Sequence, residues 1–165
     1  MTVYIFVILA VCVLDQLTKF FAMDAIAAAN SVPVDMLATG MKKPFIDGFL
    51  EFTYITNDGM AFGWLDDNRW VFMLLSTVGI VAMLAYLVSL KGNGKLLCFS
   101  LSLVIGGGIG NMFDRVALGY VVDFIDVKLF DFWKWVFNFA DSAVCVGAAL
   151  LVMSVLLDYK KGNKA

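Results

Sequence analysis

Histidine is absent from the 165 residues, only 16% of them are charged, and proline and cysteine occur just 2 and 3 times. Without histidine, Ser-His-Asp and Cys-His catalysis are excluded, together with the commonest zinc and haem ligations. An enzyme built from this chain must draw its acid and base from carboxylates, lysine, tyrosine or cysteine. The shortage of charge excludes an ordinary water-soluble domain, which carries about 25% charged and about 45–50% apolar residues. With 12 basic against 14 acidic residues and a pI near 4.9, there is no cationic footprint for nucleic acid, and no nucleic-acid partner is expected. Cys12, Cys98 and Cys145 each stand in an apolar run without metal-ligand spacing, and are expected as buried thiols, with no metal site.

Apolar residues make up 62% of the chain and the mean hydropathy is +0.88, so lipid is the expected solvent. Crossing a hydrocarbon core of roughly 30 Å takes about 20 helical residues. Residues 70–90 and 96–113 contain no charge, and residues 3–14 are uncharged before Asp15 and Lys19. A fourth run, 136–157, is broken once by Asp141. The expected fold is an all-α integral membrane protein of one domain with four transmembrane helices, 3–22, 70–90, 96–113 and 136–157. Ala25-Ile26-Ala27 resembles a signal-peptide cleavage site. However, no basic residue precedes the first run, and two charges fall between that run and the site, so a retained span is the expected reading.

Lysine and arginine collect in cytoplasmic loops. The 91–95 connection carries Lys91 and Lys95 without an acid, and the tail carries Lys160, Lys161 and Lys164, so both are expected to be cytoplasmic. The segments 23–69 and 114–135 are then the outer ones. Within them, residues 50–56 and 120–125 are rich in aromatic and β-branched residues and read as short strands of a small β-sheet on the outer membrane face. Pro33 and Pro44 bracket a short surface helix and turn. Trp64, Trp70, Trp133 and Trp135 flank the spans as an aromatic belt would.

Polar groups at membrane depth are costly and need a pairing or a function. Asp15 and Lys19, spaced i,i+4 with the acid first, read as an ion pair, and Asp114 beside Arg115 as a helix-end charge pair. Gly106 and Gly110 fit close helix packing better than a phosphate loop, because the motif's lysine and preceding strand are missing. Asp126 and Asp131 read as solvated loop residues. Asp123 and Asp141 resist such readings, since each sits among apolar residues with no base at helical pairing distance. Desolvation disfavours the charged form of such a carboxylate, and two close together divide the roles of acid and base. The residues alone leave a catalytic pair and a proton or ion pathway both open. A transporter would spread ionisable groups through the membrane depth, whereas here they gather near one end of the spans.

Five ordered blocks complete the pattern: Asp15 to Lys19 (D-Q-L-T-K), Asn57 to Gly63 (N-D-G-M-A-F-G), Gly107 to Arg115 (G-G-I-G-N-M-F-D-R), Gly119 to Phe124 (G-Y-V-V-D-F) and Phe137 to Ser142 (F-N-F-A-D-S). Through them nearly the whole chain resembles the lipoprotein signal peptidases, or signal peptidase II, aspartic proteases of the bacterial cytoplasmic membrane. The resemblance implies that Asp123 and Asp141 are the catalytic pair. It further implies that Asn57, Gly59, Asn111, Arg115 and Asn138 position the substrate, with Asp15, Lys19 and Asp114 in support. It implies a diacylglyceryl-prolipoprotein substrate held in contact with membrane lipid and cut just before the lipidated cysteine. No cofactor or metal is implied, and peptide-like inhibitors would occupy the pair. Two departures stand out: Met60, where the family usually has alanine, and a long stretch from Met36 to Pro44.

Overall fold

The computed structural model describes residues 1–58, 69–128 and 135–162. Helix α1 spans Thr2–Asn30, α2 Arg69–Ser89, α3 Lys95–Ala117 and α4 Phe139–Gly162. A sheet of four strands, β1 Lys42–Ile46, β2 Leu50–Asn57, β3 Val121–Val127 and β4 Val136–Phe137, is antiparallel throughout in the order β1-β2-β3-β4. Among the described residues, three helices are long and apolar enough to cross a membrane: Thr2–Asn30, Lys95–Ala117 and Phe139–Tyr159. Helix α2 contributes a shorter apolar stretch, Met73–Ser89.

Helix α1 continues well past the expected limit at residue 22. The Ala25 to Ala29 segment has high helix propensity, and nothing stops the helix until Ser31 turns left-handed at φ 56°. The Ser31 and Val32 N–H groups close back onto Ala28 and Ala27 carbonyls, and Pro33 follows, so the end is well capped. At 1.5 Å per residue, 29 residues run about 44 Å, longer than a hydrocarbon core. The overhang is used: Ile26 is buried with Tyr54 of β2 and Val122 of β3, so α1 carries the sheet at one end of the bundle.

The stretch between Pro33 and Pro44 is not helix and turn throughout. A 3₁₀ turn covers Val34–Met36, and Pro44 lies inside β1. Proline is tolerated there because β1 is an edge strand. Asp47, Gly48 and Phe49 close the hairpin to β2, Gly48 taking φ 69°. Between β2 and β3 the register slips, so that Phe52 faces Ile125 but Ile55 faces Asp123. Such a bulge re-aims side chains, and here it brings Asn57 opposite Val121, beside Asp123. The fourth helix starts at Phe139 rather than 136, because Val136 and Phe137 pair with Asp126 and Ile125 as β4.

The helices pack closely through small residues. The α1–α3 contact runs over Gly106 and Gly110, where an added Cβ would lie 2.8 Å from Val11 Cβ and 2.7 Å from Asp15 Oδ2. The α3–α4 contact runs over Gly107, against the Ala140 carbonyl, and over Gly147, 2.9 Å from the Ser100 carbonyl. Ile8, Leu87, Cys98, Leu101 and Ile105 form the buried apolar core at the other end of the bundle. Cys98 is buried as expected, but Cys145 is exposed on the outer surface of α4. At Gly107 a methyl group would meet backbone, which cannot rotate away. Gly107→Ala is therefore expected to lower stability by about 1–3 kcal/mol, read as a lower thermal midpoint in detergent micelles; an unchanged midpoint would mean that the two helices separate freely.

Candidate active site

Asp123 lies on β3, and Asp141 in the first turn of α4. Strand and helix are brought together by Asn138, the residue just before α4. Its backbone N–H donates to Asp141 Oδ2 (3.2 Å), and its side-chain Nδ2 donates to Asp123 Oδ1 (2.7 Å). One fully buried residue thus holds both carboxylates. The Asn138 Oδ1 accepts the Asp141 N–H at 2.9 Å, so Asn138 and Asp141 form a reciprocal capping box at the start of the helix. The carboxylate expected to react therefore also caps the start of its helix, and its orientation is set by local sequence.

The remaining oxygens are also bonded. Asp123 Oδ2 accepts from Asn57 Nδ2 (2.9 Å), and Asp141 Oδ1 from Asn111 Nδ2 (2.7 Å). Burial pushes the Asp123 carboxyl up to about 6; the nearby Asp141 charge adds to the rise, while the Asn57 and Asn138 hydrogen bonds oppose it. Asp123 is 2% exposed, whereas Asp141 is half-buried and borders a cavity of about 520 Å³ walled by Trp135, Phe137, Ser142, Cys145 and Val146. The pair thus combines one buried carboxyl with one that opens onto an apolar space able to admit a ligand.

Behind the pair lies a buried ionic cluster. Lys19 Nζ is 2.8 Å from Asp15 Oδ2, 2.7 Å from Asp114 Oδ2 and 3.1 Å from Asn111 Oδ1. The Asp15–Lys19 pair is the expected one. Asp114 differs from expectation: its partner is Lys19 on α1 rather than the adjacent Arg115, and it also accepts from Gln16 (2.9 Å) and the Val122 N–H (3.1 Å). The reason is geometric, since consecutive helical residues point about 100° apart and do not face each other. Arg115 instead donates to the Asn111 carbonyl at 3.2 Å. Gln16 is a member of the cluster that composition alone did not single out; its signal was a third polar side chain beside Asp15 within an apolar run.

Of the expected site residues, Asn57, Asn111, Asn138, Asp123 and Asp141 are drawn into one hydrogen-bonded network, with Asp15, Lys19 and Asp114 behind it. Gly59 and Met60, like Trp64, Asp131, Trp133 and Lys164, lie outside the described residues. Asp126 is not a solvated loop residue. It is buried on β3, where it accepts from Thr53 (3.0 Å) and pairs with Lys128 (2.6 Å), holding that ammonium above its ordinary range.

The family model described as Signal peptidase (SPase) II matches residues 7–157. The chain belongs to this family. It is 38% identical, over 98% of its length and 99% of the relative's, to the lipoprotein signal peptidase of Halothermothrix orenii. Two solved structures of a bacterial membrane enzyme obtained by the in meso method, at 1.9 and 2.3 Å resolution, share its fold. Each is 28% identical with a TM-score of 0.72; the first covers 94% of either chain, and the second 98% of this one and 92% of its own. Membership makes the chain a protease that removes signal peptides from prolipoproteins.

Proposed function

We propose that the chain is a membrane aspartic endopeptidase that cuts diacylglyceryl-modified prolipoproteins just before the lipidated cysteine, with Asp123 and Asp141 as the reacting pair. The observation that carries this reading is Asn138, whose two N–H groups hold one oxygen of each carboxylate. The ionised member takes a proton from water as that water attacks the scissile carbonyl carbon. The protonated member hydrogen-bonds the carbonyl oxygen as it becomes an alkoxide. The tetrahedral intermediate then collapses: the C–N bond breaks, the cysteine nitrogen leaves with a proton from the pair, and the signal peptide ends in a carboxyl group. Asn57, Gly59, Asn111, Arg115 and Asn138 position the substrate backbone and the lipid's ester region, with the acyl chains in surrounding membrane lipid; peptide-like inhibitors occupy the same place.

In this reading α1, α2, α3 and α4 all cross the bacterial inner membrane, with both termini in the cytoplasm. The lysines at 91, 95, 160, 161 and 164 support that orientation. The sheet and the aspartate pair then stand at the outer face, where a translocated precursor arrives. The test compares purified precursor with and without its diacylglyceryl group. Cleavage of the unmodified form is expected to fall by about two orders of magnitude, because binding energy from remote parts of a substrate is spent at the reacting bond. Equal cleavage of both forms would remove the lipid from the proposal.

A pH dependence follows from Asp123. The pair needs one proton, and Asp123 gives it up near pH 6, so kcat/KM is expected to fall as pH rises through about 6. Stability moves the same way. A carboxyl raised above its ordinary value of 3.8 contributes stability that is complete below that value and lost as pH rises through about 6. Asp123→Asn should therefore unfold no more readily than the parent at pH 8 while being inactive; an activity profile flat across pH 5–8 would refute the assignment.

A further inference from the structure

The three polar partners of Lys19, two carboxylates and the Asn111 oxygen, each lead to the aspartate pair. Asp15, through its other oxygen, accepts the N–H of Ala140 (3.0 Å), the residue immediately before Asp141. Asp114 accepts the N–H of Val122 (3.1 Å), the residue immediately before Asp123. Asn111 donates to Asp141 itself (2.7 Å). An ammonium group can only donate, so it requires the oxygen of Asn111 to face it, and this turns the Asn111 N–H groups toward Asp141. The three arms come from α1 and α3, yet they end on β3 and α4, the two elements that present the carboxylates.

We propose that Lys19 is a positioning residue for the cleavage reaction: its ammonium ties Asp15, Asp114 and Asn111 into a clamp that sets the spacing and orientation of Asp123 and Asp141. The inference rests on the reading that these two aspartates react. The cluster is closed to water, with Asp15 0%, Lys19 2% and Asp114 2% exposed, so its charges hold one geometry without exchanging partners with solvent. Gly110 makes the clamp sterically feasible, since any side chain there would press on the Asp15 carboxylate. Among the described residues, the charged groups around the pair are Lys19 and Asp15 on α1, Asp114 and Arg115 on α3, and the two aspartates themselves.

Two variants loosen the clamp in different ways. The triple variant Asp15→Asn, Lys19→Met, Asp114→Asn removes all three buried charges together while leaving amide oxygens to accept the Ala140 and Val122 N–H groups. Gly110→Ala keeps every ionisable group and displaces the Asp15 carboxylate. In each, kcat on the lipid-modified precursor is expected to fall about tenfold to a hundredfold, the scale of a misplacement near 1 Å, with KM unchanged. The acid and alkaline limbs of the kcat/KM profile should also move toward each other, because carboxylates held further apart interact less strongly. A merely structural cluster would lower the unfolding midpoint without moving the limbs. Folded variants with the parent's kcat and limb spacing overturn the proposal, and Gly110→Ala decides it if the triple variant does not fold. Asp123→Asn, assayed alongside, separates the two claims: if it cleaves normally the aspartate reading fails, and if it is inactive while both clamp variants match the parent, only the clamp fails.

Discussion

Replacing either Asp123 or Asp141 with asparagine is expected to lower cleavage of a lipid-modified precursor by about 10⁴-fold or more, because each substitution removes both a proton carrier and the partner it works with. Asparagine has nearly the shape of aspartate and can keep one accepting oxygen. At position 123 it keeps one of the two hydrogen bonds from Asn57 and Asn138, and at position 141 one of the two from Asn111 and the Asn138 backbone, because its amide nitrogen donates and cannot accept. The loss then reports chemistry rather than unfolding, which the far-UV spectrum and the unfolding midpoint of each variant verify. The two losses should not add. Once one carboxyl is gone, the other has no partner with which to share a proton, so the double variant should be no less active than either single one. Near-normal cleavage in both single variants would exclude the pair. A tenfold loss in one and a complete loss in the other would mean that a single carboxylate does the chemistry.

The aspartates were legible because they violate a rule. A carboxylate among Val121, Val122 and Phe124, or among Phe139, Ala140 and Ala143, has no bland explanation in the surrounding sequence. The apolar helices were legible too, since absence of charge over a long run is a property of composition. What escaped depends on contacts remote in sequence or on helix length. Hydropathy reports where lipid ends and not where a helix does, so the Met23 to Asn30 extension of α1 could not be read from it. Asp126 looks solvated because its satisfying partner, Thr53, is on a strand 73 residues away. Asp114 sits next to Arg115 in sequence, yet its ammonium partner comes from another helix. The Asn138–Asp141 capping box is a local i,i+3 pattern, yet the apolar run beginning at 136 masked it, and the helix was expected to start before Phe139.

Lys19→Met on its own is expected to cost about 3–5 kcal/mol of folding stability, the penalty for leaving buried charge uncompensated. The parent cluster holds two carboxylates around one ammonium, and every buried polar side-chain atom among the described residues has a hydrogen-bond partner. Removing the ammonium leaves Asp15 and Asp114 both buried, with their hydrogen bonds from Ala140, Val122 and Gln16 unable to offset two negative charges. Neutralising all three positions together should recover much of the loss, because an apolar or amide replacement of a whole buried ion cluster is often nearly neutral. The measurement is the unfolding midpoint of parent, single and triple variants in the same micelle. A single variant as stable as the parent would mean that water reaches the cluster, and the rigid tie between α1, β3 and α4 would be lost with it.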